Sequence, residues 1–196
     1  MAKKNQSFIT KPGIAYWPYL QSPDTKYDSK YKTGLIIHSD ESKDLIELIH
    51  KTFIDEFGEK QIQKASLSYE RASDTKDNVS KGIQELIDKT NDNKLENYYL
   101  FKFGTQHKPT LWDCSKPSQK IESDLNLRGG SIIQVHGKLN AYSYGSRIGV
   151  TCYLGMVRII DAVQGSSSPF SDDVKGFVHH NDNDEKPLDV AANGDF

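Results

Sequence analysis

Two long alternating runs near the end of the chain, Ser131 to Tyr144 and Arg147 to Ala162, are separated only by Gly145-Ser146. So short a connection between alternating segments makes a β-hairpin, and a hairpin of this length commits the chain to a sheet-based fold. The two-residue period of a strand sorts the side chains onto two faces. Ile133, Val135, Gly137, Leu139 and Ala141 fall on the core side of the first strand, and Val150, Cys152, Leu154 and Met156 on that of the second. The other face carries Gln134, His136, Lys138, Asn140, Tyr142 and Tyr144, with Thr151 and Tyr153 across from them and Arg147 at the turn.

The rest of the chain supplies shorter elements. Phe8 to Tyr19, interrupted by Pro12, Gly13 and Pro18, reads as an edge strand entering a turn, and Ser22 to Lys30 as a loop. Tyr31 to His38 is a strand with Thr33, Leu35 and Ile37 on one face and Lys32, Ile36 and His38 on the other. Ser39-Asp40 offers an N-cap for a helix to about Phe57, whose apolar stripe is Leu45, Ile46, Leu48, Ile49, Phe53 and Phe57, with Gly58 as its stop. Residues 59–97 form a polar insertion with one helix over Val79 to Lys89. A strand returns at Asn97 to Thr105, followed by a connection from Gln106 to Leu127. Five strands, a long helix after the second and a smaller helical insertion fit a mainly β, OB-fold-type barrel over residues 1–164. A β-sandwich is the competing architecture.

Charge is distributed unevenly. Residues 172–196 hold seven acids and two bases, a net of −5, against +3 for residues 1–171. A segment so polar, following Gly-Ser-Ser-Ser-Pro, is expected to be a disordered acidic tail over 165–196, ending in Phe196. No apolar run approaches the roughly 18 residues of a membrane span, and none follows Lys3-Lys4 as a secretory leader requires. Two cysteines, Cys114 and Cys152, do not make a disulfide framework. Phosphate-loop, zinc-protease and nucleophile-elbow patterns are missing, and adjacent His179-His180 with Asp182, Asp184 and Glu185 lack the spacing of a specific metal site. The expectation is a binding protein without enzymatic activity, cofactor or metal.

The outward face of the hairpin suggests what is bound. Flat rings beside cations suit unstacked bases and their phosphates. Tyr142, Tyr144 and Tyr153 are the expected stacking residues, and Lys32, Lys102, Lys138, Arg147, Arg128 and Arg158 the expected phosphate contacts. Tyr98 alternates onto the face of Lys102, away from Phe101 and Phe103, and joins the candidate set. Trp17 is expected to pack inside. The competing reading of the same aromatic face is a protein-binding surface on a structural or interaction protein.

Four blocks, in order, resemble bacteriophage single-stranded DNA-binding proteins: TKPGIAYWPYLQSPD with YKTGLIIHSDES, then YYLFKFGTQHKPTLWD, then LRGGSIIQVHGKLNAYSYGSRIGVTCYLGMVRIIDA, and the acidic end with Phe196. Residues 59–97 depart from that pattern, standing where a shorter connection is expected. The resemblance implies an OB-fold protein that coats single-stranded DNA without sequence preference in phage replication, recombination and repair, in the cytoplasm of the infected bacterium. It also implies that the tail, through Asp182, Asp184, Glu185, Asp189, Asp195 and Phe196, contacts polymerase and helicase-primase and competes with DNA. A homodimer, through the Phe8 to Tyr19 edge or the tail, is a further expectation.

Overall fold

The computed structural model describes residues 6–26, 28–123, 125 and 127–163. The expected tail, with Asp182, Asp184, Glu185, Asp189, Asp195 and Phe196, lies outside the described residues. The strands are β1 (Ser7–Ile9), β2 (Gly13–Asp24), β3 (Lys30–His38), β4 (Ala65–Leu67), β5 (Tyr69–Arg71), β6 (Tyr98–Thr105), β7 (Thr110–Trp112), β8 (Ile132–Tyr144) and β9 (Arg147–Asp161). The α-helices are α1 (Ser39–Phe57) and α2 (Asp77–Ile87). Among the described residues, no helix is long and apolar enough to cross a membrane.

Five strands close into a ring in the order β2-β3-β6-β9-β8, with β8 returning to β2. This is the expected OB-type barrel and not a two-sheet sandwich. Four short strands lie outside the ring: β1 runs antiparallel to β8, β4 and β7 parallel to β9, and β5 antiparallel to β6. β4, β5 and β7 fall in stretches too short and polar to show a sheet period, which is why the sequence reads them as irregular.

The barrel interior is built from the alternating sides of its strands. Leu35, Ile37, Phe101, Phe103, Ile133, Val135, Leu139, Val150, Cys152 and Leu154 share one buried cluster, against which α1 lays Leu45, Ile49 and Phe53. Burying each large side chain there contributes about 1.5–3 kcal/mol. α1 keeps its expected span, but the cap is His38, whose Nδ1 accepts from the Asp40 N–H at 3.3 Å. Gly58 ends the helix at φ 83°, its N–H donating to the Ile54 carbonyl at 2.8 Å.

A second cluster forms on the outside of the ring. Ile14, Ile36, Leu100 and Tyr98 turn outward from β2, β3 and β6 and are covered by Ala72, Ile83 and Ile87 of the 59–97 insertion. The insertion is thus a folded layer over one part of the barrel wall, leaving the neighbouring part open.

Three details depart from the alternation. β2 is a barrel strand paired on both sides, not an edge strand, and it runs through the expected loop as far as Asp24. Pro12 falls in the break before it, so the short β1 alone occupies the edge beside β8. In the hairpin, Gly137 faces Leu154 and His136 faces Met156, so Gly155 is an extra residue, a bulge. One inserted residue inverts the faces beyond it. Val157 therefore fills the core, and Met156, expected there, is exposed.

Candidate nucleic-acid interface

Strand register brings distant residues into one line on the outer wall. Tyr19 on β2 faces Lys32 on β3, Lys32 faces Gly104 on β6, Gly104 faces Tyr153 on β9, and Tyr153 faces Lys138 on β8. Residues directly opposite one another across a sheet share a face. Neighbouring strands are about 4.8 Å apart, so Lys32 and Tyr153, two strands away, are separated by about 10 Å. Gly104 between them has no side chain, which leaves a trough there. A Cβ at Gly104 would meet nothing closer than the Tyr31 carbonyl oxygen, at 3.8 Å, so packing does not require glycine at this position.

The line runs through a chain of three clefts. One, of about 600 Å³, is bordered by Lys32, Lys102, Gly104, His107 and Tyr153. The next, of about 440 Å³, shares Lys32 and Lys102 and adds Tyr16, Trp17 and Lys76. The third, of about 770 Å³, shares Tyr16 and Trp17, and is walled by Gly82 and Leu86 of α2 with Arg128 at its border. Together they make a continuous path from Arg128, past Trp17, between the two lysines, to Tyr153.

Trp17 is the most exposed ring of the path, at 63%. Its backbone sits at φ 48°, where β2 slips register between Tyr16 and Tyr19. The bulge aims the indole outward instead of into the core, correcting the expectation that Trp17 packs inside. Pro18, which cannot donate to a ladder, was the sequence signal for such an irregularity. Tyr16 packs against the indole in a T-shaped pair, with ring centroids 6.2 Å apart, and Tyr16 in turn lies against Gly82, where its Oη would be 3.1 Å from an added Cβ.

Two lysines of the path are paired with carboxylates. Lys32 Nζ lies 2.7 Å from Asp24 Oδ2 and 3.3 Å from Asp28 Oδ1, and 5.9 Å from the centre of the Tyr19 ring. Partial burial opposes the charge on Lys32, but the bonds to Asp24 and Asp28 outweigh it and hold the ammonium above its ordinary range. The hydrogen bond from Lys32 holds the Asp24 carboxyl below its own. Lys102 pairs with Glu70 Oε1 at 2.5 Å.

Of the residues expected at the site, Lys32, Lys102, Lys138, Tyr153 and Arg128 are therefore drawn together by the barrel, with Tyr153 47% exposed. Tyr98 is not available. It lies on the same face as Lys102, but the insertion covers that end of β6, leaving Tyr98 6% exposed with its hydroxyl donating to the Asp92 carbonyl at 2.6 Å. Tyr142 reaches across Gly149, where its Oη would stand 2.9 Å from a Cβ, so this half-buried ring covers the glycine. Tyr144 and Arg147 are paired and exposed at the hairpin tip, away from the clefts. Arg158 lies past the Gly155 bulge, its Nη1 donating to Gln134 Oε1 at 3.4 Å. Among the described residues no three His, Cys, Asp or Glu side chains are grouped to hold a metal ion.

No family model and no curated protein sequence matches the chain. Solved structures do. The single-stranded DNA-binding protein gp2.5 of bacteriophage T7 superimposes with a TM-score of 0.61 at 16% identity, over 90% of this chain and 100% of that one. The single-stranded DNA-binding protein of bacteriophage Enc34 does so with a TM-score of 0.56 at 12% identity, over 90% of this chain and 93% of that one. A structure of the same Enc34 protein in complex with single-stranded DNA also matches, with a TM-score of 0.56 at 12% identity, over 87% of this chain and 96% of that one. The resemblance drawn from the sequence holds at the level of the fold.

Proposed function

We propose that this chain is a phage-type single-stranded DNA-binding protein that coats unpaired strands without sequence preference. The observation carrying this reading is the line Tyr19, Lys32, Gly104, Tyr153, Lys138 on the wall of an OB-type barrel, continued by Trp17 and Arg128. A base offers a π-face to Trp17 or Tyr153, each worth about 1–3 kcal/mol, whatever its sequence. The lysines meet the phosphates between them. Duplex DNA keeps its bases stacked and can use only the charges.

The reading extends to action in replication, recombination and repair in the infected cell, with the −5 segment of residues 172–196 competing with DNA for the basic path. The same segment and Phe196 would recruit partners such as polymerase and helicase-primase. No group in the proposed role is asked to perform covalent chemistry.

Titration of the intrinsic fluorescence with an unlabelled pyrimidine strand and with matched duplex, at several salt concentrations, tests the reading. Quenching by the single strand, weak response to duplex and a fall of log affinity with log salt are expected. A chain ending at Ser171 should bind more tightly at low salt. Absence of single-strand binding by both forms would refute the function and favour a protein-binding role for the aromatic face.

A further inference from the structure

The cleft between Trp17 and Lys102 is lined by three lysines, Lys32, Lys76 and Lys102, and by a single carboxylate among its described lining residues, Glu70. Glu70 comes from β5, in the 59–97 insertion, where it faces Leu100 one position along the face from Lys102. Its Oε1 meets Lys102 Nζ at 2.5 Å, with the lysine side chain 61% exposed and the glutamate 35%.

The pair on Lys32 is of another kind. Asp24 is 5% exposed, and accepts from the Lys26 backbone N–H at 3.1 Å as well as pairing with Lys32, so it is part of the folded turn. Glu70 is partly exposed and directs its carboxylate at a mostly exposed lysine in an open groove. An exposed ion pair gains little net energy and exchanges readily with another anion.

We propose that Glu70 is a built-in counter-ion that holds, on Lys102, the place taken by a DNA phosphate. This rests on the single-stranded DNA reading above and gives the insertion a role in it. A phosphodiester reaching Lys102 must displace the carboxylate, so one contact is exchanged for another. The lysine then guides the strand while adding little to affinity, and when the phosphate leaves, the carboxylate returns.

The test uses the full chain and an oligothymidylate. Glu70→Gln keeps the shape and removes the charge. It should tighten binding at low salt by about two- to fivefold, the equivalent of a surface ion pair, and steepen the slope of log affinity against log salt by about 0.7, one phosphate contact on a single strand. In a Lys102→Gln background, which itself weakens binding, the same Glu70→Gln change should give less than half of that gain and leave the salt slope unaltered, since no lysine is left there for the carboxylate to cover.

Unchanged or weaker binding by a folded Glu70→Gln chain, or an equal gain from Glu70→Gln whether or not Lys102 is present, would overturn the inference while leaving DNA binding intact. Failure of the unmodified chain to bind the oligonucleotide would overturn the function reading first and this inference with it.

Discussion

Trp17 and Tyr16 meet as an edge-to-face pair, ring planes 80° apart, and the indole, though in contact with Tyr16, stays largely exposed on the border of two clefts. On the proposed reading Trp17 is a ligand residue and not a stabilising one. Trp17→Ala should cost about 1–3 kcal/mol of single-strand affinity, one stacked base, with little change in melting temperature, because so exposed a ring buries little area. Oligonucleotide titration and thermal denaturation of the same preparation measure both quantities. A large stability loss with unaltered affinity would contradict this assignment.

Gly104 gives a complementary prediction. The trough between Lys32 and Tyr153 exists because Gly104 lacks a side chain, and the barrel has room for one. Gly104→Leu should therefore fold and melt near the unmodified protein, yet bind single strands at least tenfold more weakly by obstructing the path. A leucine there without effect on binding would mean the strand runs elsewhere.

The hairpin, the long helix and the inner faces of β3 and β8 were legible because long alternating or helical periods leave little choice of packing. The site was legible only in part, since it depends on three local events. Gly155 adds one residue and turns Met156 outward; the Trp17-Pro18 bulge ejects an indole; and α2 covers Tyr98 while leaving Lys102 in the open. None of the three follows from a strand's own period. The alignment of Lys32 with Tyr153 likewise needs the register of β3, β6 and β9 together, which no single segment encodes.

Acid should weaken the fold. Asp24, hydrogen-bonded by Lys32, Asp92, hydrogen-bonded by Asn97, and Asp113, hydrogen-bonded by Ser115, all have carboxyl pKa values below the ordinary range. At low pH the unfolded chain then binds more protons than the folded one. The stabilisation these groups give is complete above about pH 4, the unfolded aspartate value, and is lost as pH falls through the folded values. Melting temperature should hold near pH 5 and decline below pH 4. Lys32, raised, adds the opposite limb, its contribution fading at strongly alkaline pH. A melting temperature that rises below pH 4 would contradict these pairings.

The two thiols should separate sharply in reactivity. Cys152 is fully buried in the barrel, and burial pushes its thiol up to about 12, whereas Cys114 is exposed on the connection before β8. Alkylation near neutral pH should modify Cys114 rapidly and Cys152 only after denaturation. Peptide mass mapping of native and unfolded protein distinguishes them, and fast native labelling of Cys152 would mean that the barrel opens at β9.

Photocrosslinking of the full chain to a single-stranded oligonucleotide, with mapping of the attached peptides, addresses the path most directly. The account predicts adducts at Trp17 and Tyr153, the two exposed rings on either side of the paired lysines, and their loss in Gly104→Leu. Adducts confined to Tyr142 and Tyr144 at the hairpin tip, or to no part of the Lys32 to Lys138 line, would contradict it.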